Sequence, residues 1–277
     1  MQRNCSLFIL KQPQKPEDIK GKLCLVTGGG YGLGRCLAMK FAQEGCNIAI
    51  VDILNSENTV KEIKSRYDVK CQSFMYDISD NDAITEMKVK VEAEMGEVDI
   101  LVNNAGVLFM APFLNSTKTS GNVSMLTCLH ISLYGMITRK SGRIVAVSSM
   151  TARLTLPLST VYAATKFGVD GFMETLYDDL CIDDYDKFIK LSTIFPFFIN
   201  TRKEIQNTMD EIGDIIPRLT PEYVAEKSVE GILINKRNIF ITPDYAHFIV
   251  NNLPDRVRRH LKTSVGATKE YKQKHFN

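Results

Sequence analysis

The stretch "KLCLVTGGGYGLGR", residues 22–35, decides the fold. It opens as a short apolar run, Leu23 to Val26, and breaks at Thr27 into a cluster of glycines. The following "GRCLAMKFAQEG" (34–45) carries Leu37 and Phe41 one helical turn apart and closes on Gly45, a natural C-terminal cap. A strand that feeds a glycine turn and then a helix aims backbone N–H groups at whatever sits on the helix N-terminus, which suits a pyrophosphate. Gly28, Gly32 and Gly34 permit the tight turn and close approach, with Tyr31 and Leu33 interleaved. A glycine cluster alone is weak evidence, because many turns are rich in glycine. Asp52 strengthens it. This acid ends the next apolar run, 18 positions beyond Gly34, where a carboxylate reaches a ribose hydroxyl.

Asp52 also separates two dinucleotides. A carboxylate accepts hydrogen bonds from the adenosine 2′-OH and repels a 2′-phosphate. Ile53 beside it is not basic, and Tyr31 stands in the loop where a cation would serve a phosphate. Arg35, a long cation at the start of the helix, argues the other way. The balance favours NAD over NADP.

Outward from the loop, short apolar runs alternate with helical patterns. The runs are "KLCLVT" (22–27), "NIAIVD" (47–52), "CQSFMY" (71–76), "VDILV" (98–102), "RIVAVS" (143–148), "KLSTIF" (190–195) and "NIFITP" (238–243). They lack clean alternation, as strands buried on both faces do. "SDNDAITEMKVKVEAEMG" (79–96) starts with Ser and Asp cap candidates, keeps Ile84, Met87 and Val91 on one face, and ends at Gly96. "LTPEYVAEKSVEGIL" (219–233) offers Thr220 as N-cap and Pro221 at the first helical position. Strands separated by helices imply right-handed crossovers and a parallel sheet covered on both sides. The expectation is an α/β, single-domain, doubly wound parallel sheet of about seven strands, Rossmann-like. Residues 1–20 read as a lead-in, 21–262 as the domain and 263–277 as a polar tail.

Composition narrows the class. With 277 residues, 44% of them hydrophobic, the chain can bury a large core. Lys plus Arg (34) nearly balance Asp plus Glu (32), which gives no nucleic-acid footprint. The seven cysteines (Cys5, Cys24, Cys36, Cys46, Cys71, Cys128, Cys181) form no CxxC pair and are odd in number, which reads as reduced thiols in an intracellular protein. The histidines, His130, His247, His260 and His275, show no metal-ligand spacing. No apolar run approaches the roughly 20 residues of a membrane span. "LFIL" (7–10) is too short for a signal peptide, so a cytoplasmic protein is expected.

A second motif lies in "VYAATKFGVD" (161–170), where Tyr162 and Lys166 stand four apart and share a helix face. Taken alone, the pair is a surface tyrosine beside a snorkelling lysine. A free phenol has a pKa of about 10, too high for a base near neutrality, and an ammonium one turn away favours its phenolate. Ser149 precedes Tyr162 by thirteen positions, and "NNAG" (103–106) follows the fourth apolar run.

The loop TGxxxGxG, "NNAG", Ser149, Tyr162 and Lys166, in that order, resemble the short-chain dehydrogenase/reductase family over roughly residues 17 to 245. "YDISD" (76–80), "GRIVAVSS" (142–149), "PFFINT" (196–201) and "TPEYVAE" (220–226) resemble the branch containing the lipid-droplet 17-beta-hydroxysteroid dehydrogenases and the epidermal retinol dehydrogenases. The resemblance implies an NAD-dependent oxidoreductase that interconverts an apolar alcohol (a steroid, retinoid or fatty alcohol) and its carbonyl. It makes Tyr162 the acid/base, has Lys166 lower its pKa and hold the nicotinamide ribose, and has Ser149 orient the substrate oxygen; a strand-end serine capping its neighbours is the plainer reading of Ser149. It further implies Asp77 and Ile78 beside the adenine, and Asn104, Ala105 and Gly106 along the adenosine, although Asn104 also reads as a tie between strands. Pro196 and Thr201 would flank the nicotinamide. "FPFFI" (195–199) is either the core end of a strand or, with "LTLPL" (154–158), an apolar pocket wall.

The stretch 107–141 is shorter than its counterpart in that family, and "STKTSG" (116–121) is a poor helix former where a helix should begin. Asn122 is the candidate for the family's proton-relay asparagine; an ordinary loop residue is the other reading. In the family the same helix helps to form a homodimer. The shortening motivates a rival class, a catalytically weak NAD-binding sensor or scaffold. The intact Ser149, Tyr162 and Lys166 favour the enzyme. Peripheral attachment to a lipid droplet or the endoplasmic reticulum through "YAHFIVNNLPDRVRRHL" (245–261) is the alternative to a cytoplasmic location.

Overall fold

Alternate residues of each apolar run bury on opposite sides of one sheet. In β1 (Leu23–Thr27), Leu23 and Leu25 enter one core, and Cys24 and Val26 enter the other. In β2 (Asn47–Asp52), Ile48 and Ile50 divide from Ala49 and Val51 in the same way. A strand covered on both faces has no polar side, which is why these runs read as continuous apolar segments. The computed structural model describes residues 15–106, 132–155, 159–200 and 218–242.

The remaining elements follow in chain order: α1 (Gly32–Gln43), α2 (Glu57–Arg66), β3 (Cys71–Met75), α3 (Asn81–Met95), β4 (Ile100–Asn103), α4 (132–138), β5 (Gly142–Val147), α5 (Thr160–Ile182), β6 (Ile189–Pro196), α6 (Pro221–Leu233) and β7 (Asn238–Ile241). The seven strands form one sheet in the order β3-β2-β1-β4-β5-β6-β7, and every pairing is parallel. Apolar residues of α1, α2 and α6 pack on one face, and those of α3, α4 and α5 on the other. This is the doubly wound Rossmann-like architecture. Its strand order reverses between β1 and β4, and in such sheets ligands bind beyond the carboxyl ends of the strands at that point.

The helix ends follow their cap chemistry. At the end of α1, Gly45 takes φ +86°, its N–H donates to the Ala42 carbonyl (2.9 Å), and the Cys46 N–H donates to the Phe41 carbonyl (3.0 Å). Asp80 caps α3, whose buried face is Ile84, Met87 and Val91. The Thr220 hydroxyl accepts the Tyr223 N–H at 3.2 Å, with Pro221 opening α6. Helix α2 has no clear signature in the sequence. Only Thr59, Val60 and Ile63 of "ENTVKEIKSR" are buried, so its apolar stripe is too thin to read. Among the described residues, no helix is long and apolar enough to cross a membrane.

The last residues of the lead-in belong to the domain. Ile19 is 2% exposed, and the Glu17 N–H donates to the Leu233 carbonyl at 2.8 Å. Buried Arg143, at the start of β5, pairs with Glu17 at 2.6 Å and donates to the Ile232 carbonyl (2.7 Å) and Asn235 (2.8 Å). Burial alone would raise Glu17, but Lys22 and Arg143 outweigh it and hold its carboxyl below the ordinary value. A depressed carboxyl stabilises the fold above its unfolded pKa and loses that contribution as pH falls through the folded one. Wild type should therefore exceed Glu17→Gln in urea-melt stability at pH 7, with the gap closing below about pH 4. A gap independent of pH would remove Glu17 from the ion pair.

Candidate active site

The glycine loop is fixed by groups from two neighbouring strands. The Thr27 hydroxyl, at the end of β1, accepts the Asn104 and Ala105 N–H groups, each at 3.1 Å, and donates to the Val102 carbonyl at 3.4 Å. The Asn104 side-chain amide returns across the gap to the Thr27 carbonyl (3.0 Å) and the Gly28 carbonyl (3.2 Å). Of the two readings of Asn104, the tie between strands is thus present in the geometry. Gly28 has φ +63°, and a Cβ on Gly34 would overlap the Gly28 carbonyl oxygen and crowd the Asn104 amide. Glycine at these positions is a packing requirement. Tyr31 precedes α1 as its N-cap, and Gly32 and Leu33 open the helix.

Asp52 sits at the end of β2 with both oxygens directed. One accepts the Gly30 N–H at 3.0 Å and the other the Leu54 N–H at 3.1 Å. Buried Thr59 of α2 closes the arrangement by donating to the Gly30 carbonyl at 2.8 Å. Tyr31 is half exposed and donates to the Asn55 carbonyl at 3.2 Å. Arg35 is held by Glu62, which also takes Arg66 at 2.8 Å. That contact raises the Arg35 pKa and lowers the Glu62 pKa. Asp77, just past β3, accepts the Ser79 N–H at 2.8 Å, and that bond lowers its pKa; Ile78 packs partly buried beside it.

Three further residues meet beyond the end of β5. Lys166 of α5 is buried, and its amine donates to the Val147 carbonyl at 2.8 Å. Ser148 fastens the same helix by donating to the Lys166 carbonyl at 3.1 Å. The Lys166 nitrogen lies 5.7 Å from the centre of the Tyr162 ring, one turn back on α5. Ser149 caps a 3-10 turn, Met150–Ala152: its hydroxyl accepts the Thr151 N–H at 3.1 Å and bonds the Thr151 hydroxyl at 3.0 Å. The plain reading of Ser149 as a cap and its place beside Tyr162 therefore hold together. Burial raises the Tyr162 phenol above its ordinary pKa, and a hydrogen bond with Ser149 pulls the other way. Burial lowers Lys166 to about 8. The Ser149 hydroxyl therefore pulls the phenol downward against the effect of its burial.

Gly106 borders the same space, since a Cβ there would lie 3.8 Å from the Lys166 nitrogen. Pro196 ends β6, and the Phe197 N–H donates to the Ile241 carbonyl at 2.9 Å. Phe195 is fully buried and stacks on Phe240, ring centres 4.7 Å apart, so it is the core end of a strand and not a pocket wall. Phe197 and Phe198 remain half-buried, edge to face at 5.2 Å. Asn122, Thr201 and residues 156–158 lie outside the described residues, as do 107–131. A surface groove bounded by Arg66, Tyr67, Lys70 and Glu94 lies before β3, at the opposite end of the strands. Sequence reasoning passed over Thr27, Thr59, Arg153 and Asp170. Thr27 carried one usable signal, a hydroxyl at a strand end directly before the glycines.

The short chain dehydrogenase family model matches residues 22–211. Estradiol 17-beta-dehydrogenase 11 of Homo sapiens is 30% identical over 97% of this chain and 91% of its own length. Epidermal retinol dehydrogenase 2 of Homo sapiens is 30% identical over 87% and 80%. Among solved structures, a short chain dehydrogenase/reductase from Burkholderia phymatum in complex with NAD superposes with a TM-score of 0.74 at 21% identity, covering 91% of this chain and 97% of that one. L-sorbose reductase from Gluconobacter frateurii, complexed with NADPH and L-sorbose, gives 0.72 at 21% identity, covering 81% and 96%. The chain belongs to the short-chain dehydrogenase family. It is an oxidoreductase of that family, similar to the steroid and retinol dehydrogenases in sequence.

A buried amine with a depressed pKa opposes folding. Unfolded lysine titrates near 10.4, so between about pH 8 and that value the unfolded chain binds more protons and stability rises with pH. Lys166→Met should accordingly be more stable than wild type at pH 7, by up to about 3 kcal/mol, with the difference shrinking from pH 8 to 10. Equal stability across that range would mean that Lys166 is solvated.

Proposed function

We propose that this protein interconverts an apolar alcohol and its carbonyl compound, with NAD as the hydride carrier and Tyr162 as the acid/base. The observation that carries the reading is the meeting of Ser149, Tyr162 and Lys166, with the lysine amine buried against a backbone carbonyl. An amine is buried in this way at a cost to stability, and a chemical task accounts for it.

Bound NAD supplies the carbon that accepts hydride from the alcohol. Tyr162 takes the hydroxyl proton as the hydride leaves, and returns it when the reaction runs backwards. Its phenol must ionise more easily than burial allows. The Ser149 hydroxyl assists by bonding the Tyr162 oxygen, and it can orient the substrate oxygen. Lys166, with a pKa of about 8, is still mostly protonated at neutral pH and places a positive charge beside the ring. Of its three donors, one is used on Val147, which leaves two for ribose hydroxyls and the phenol oxygen.

The residues around the loop fit NAD. Each Asp52 oxygen keeps a free lone pair after its backbone bond, positioned for ribose hydroxyls, and its charge repels a 2′-phosphate. Arg35, the cation that argued for NADP, is engaged with Glu62. The N-terminus of α1, with Tyr31, Gly32, Leu33 and Gly34, would hold the pyrophosphate. Asp77 and Ile78 would border the adenine, Ala105 and Gly106 the adenosine, and Pro196 the nicotinamide. Relatives named for estradiol and retinol, at 30% identity, support an apolar substrate.

Purified protein given NAD with retinol, estradiol or a long-chain alcohol should form NADH. Tyr162→Phe should lower kcat by about 100- to 10,000-fold, the order of a lost acid/base, while NADH binding by fluorescence titration stays within a factor of about three. Near-normal turnover in that variant would falsify the mechanism. Asp52→Asn keeps one acceptor and removes the charge, so the NAD-over-NADP ratio of kcat/KM should fall on the order of tenfold, about 1.4 kcal/mol. An unchanged ratio would move cofactor selection to another residue.

A further inference from the structure

The turn that carries Ser149 is clamped to α5 at both ends. Before the serine, Ser148 donates to the Lys166 carbonyl and the Lys166 amine returns to the Val147 carbonyl. After it, Arg153 pairs with Asp170 at 2.9 Å. Lys166 and Asp170 are four residues apart, about 6 Å along the helix and on one face. The two clamps thus bracket the turn against the same stripe of α5 that bears Tyr162.

Arg153 makes a further contact. Its guanidinium lies over the Phe195 ring, 5.1 Å from the centre, and 6.0 Å from the centre of Phe240. Phe195 immediately precedes Pro196 at the end of β6. One side chain therefore touches the helix of Tyr162 and Lys166 and the strand end leading to Pro196, while the Arg153 backbone N–H closes the turn of Ser149 on the Met150 carbonyl at 2.9 Å. Asp170 is buried and Arg153 is more open, so the carboxylate depends on this partner. The Ser149 hydroxyl has its direction set within the turn by Thr151, so the placement of the turn sets the placement of the hydroxyl.

We propose that Arg153 and Asp170 form a positioning pair that holds the Ser149 hydroxyl in register with Tyr162. Neither residue touches the reacting atoms; they act through the turn. The inference rests on the functional reading above, and its test includes a readout that needs no turnover. Arg153→Met leaves Asp170 buried without its ion pair, so the double variant R153M/D170L, which removes both charges, is compared with it, with R153K and with wild type. The Thr151 N–H donates to Ser149 and reports the turn by its hydrogen-exchange rate, with the Ala146 N–H of β5 as the internal reference.

The expected result for R153M/D170L is a melting temperature near wild type, Thr151 exchange at least about tenfold faster, and Ala146 unchanged. In the assay with NAD and the alcohol, kcat falls on the order of 10- to 100-fold while the KM for NAD stays within a factor of about two, and R153K recovers most of the loss. Wild-type Thr151 protection and wild-type kcat in the double variant would overturn the positioning pair. So would a kcat loss that only tracks the unfolded fraction. Failure of the functional reading is distinct: wild-type turnover would then survive Tyr162→Phe, whatever the exchange at Thr151 shows.

Discussion

A lysine amine buried at the end of a central strand, with a backbone carbonyl as its fixed partner, is the constraint that the rest of the molecule serves. Transferring an ammonium out of water is expensive, and that cost shows as a Lys166 pKa lowered to about 8. Geometry offsets part of it. The Val147 carbonyl stands at the last residue of β5, and Ser148 fastens α5 at the Lys166 carbonyl, so the amine has one short path to one acceptor. A seven-strand parallel sheet with helices on both faces supplies rigid strand ends and a helix that cannot roll, which a mobile loop could not.

The second fixed point lies one strand away, where the order of the sheet reverses. Parallel strands β1 and β4 are neighbours in space and separated in sequence, so the crevice between their ends has to be closed by side chains. Thr27 closes it from one side and Asn104 from the other: the Thr27 hydroxyl accepts the Asn104 and Ala105 N–H groups, and the Asn104 amide donates to the Thr27 and Gly28 carbonyls. Gly34 passes so close to this junction that a side chain would displace the Gly28 carbonyl. The loop conformation is thereby imposed by sheet topology, and the N-terminus of α1 is aimed before any ligand arrives. Gly106 links the two fixed points, because it lies beside the Lys166 amine at the end of the same β4 turn.

How much of this was legible in the sequence depends on the range of the interaction. All seven strands were, because burial on both faces leaves its mark within five or six consecutive residues, as in "NIAIVD". So were the caps at Gly45, Asp80 and Thr220, whose partners lie within a few residues. Helix α2 was not, since three buried residues among ten give no usable period. The sequence does not decide between core and pocket for Phe195, because the answer lies in its register with Phe240 across β6 and β7, which no local pattern contains. Arg153 and Asp170 look like two ordinary surface charges 17 positions apart until the turn and helix bring them within 2.9 Å. The sign of the influence on Tyr162 was hidden for a related reason. Spacing gives proximity of the lysine, while the phenol responds to burial and to a serine hydroxyl placed by another element.

Several of these groups hold the scaffold together and also stand where the chemistry would occur. Ser149 is the N-cap of its own 3-10 turn, and that bond to the Thr151 N–H also fixes the direction of its hydroxyl toward Tyr162. Asn104 ties two strands and lines the glycine loop; Asp52 anchors the Gly30 N–H and retains acceptor capacity. A site built this way needs few dedicated residues, because each backbone bond made on folding removes one degree of freedom from a functional atom. Under the proposed mechanism, removal of a hydroxyl or carboxylate here would act twice, once on the turn it holds and once on the reaction. Kinetic measurements on such variants separate the two effects only when read beside a structural probe of the same turn.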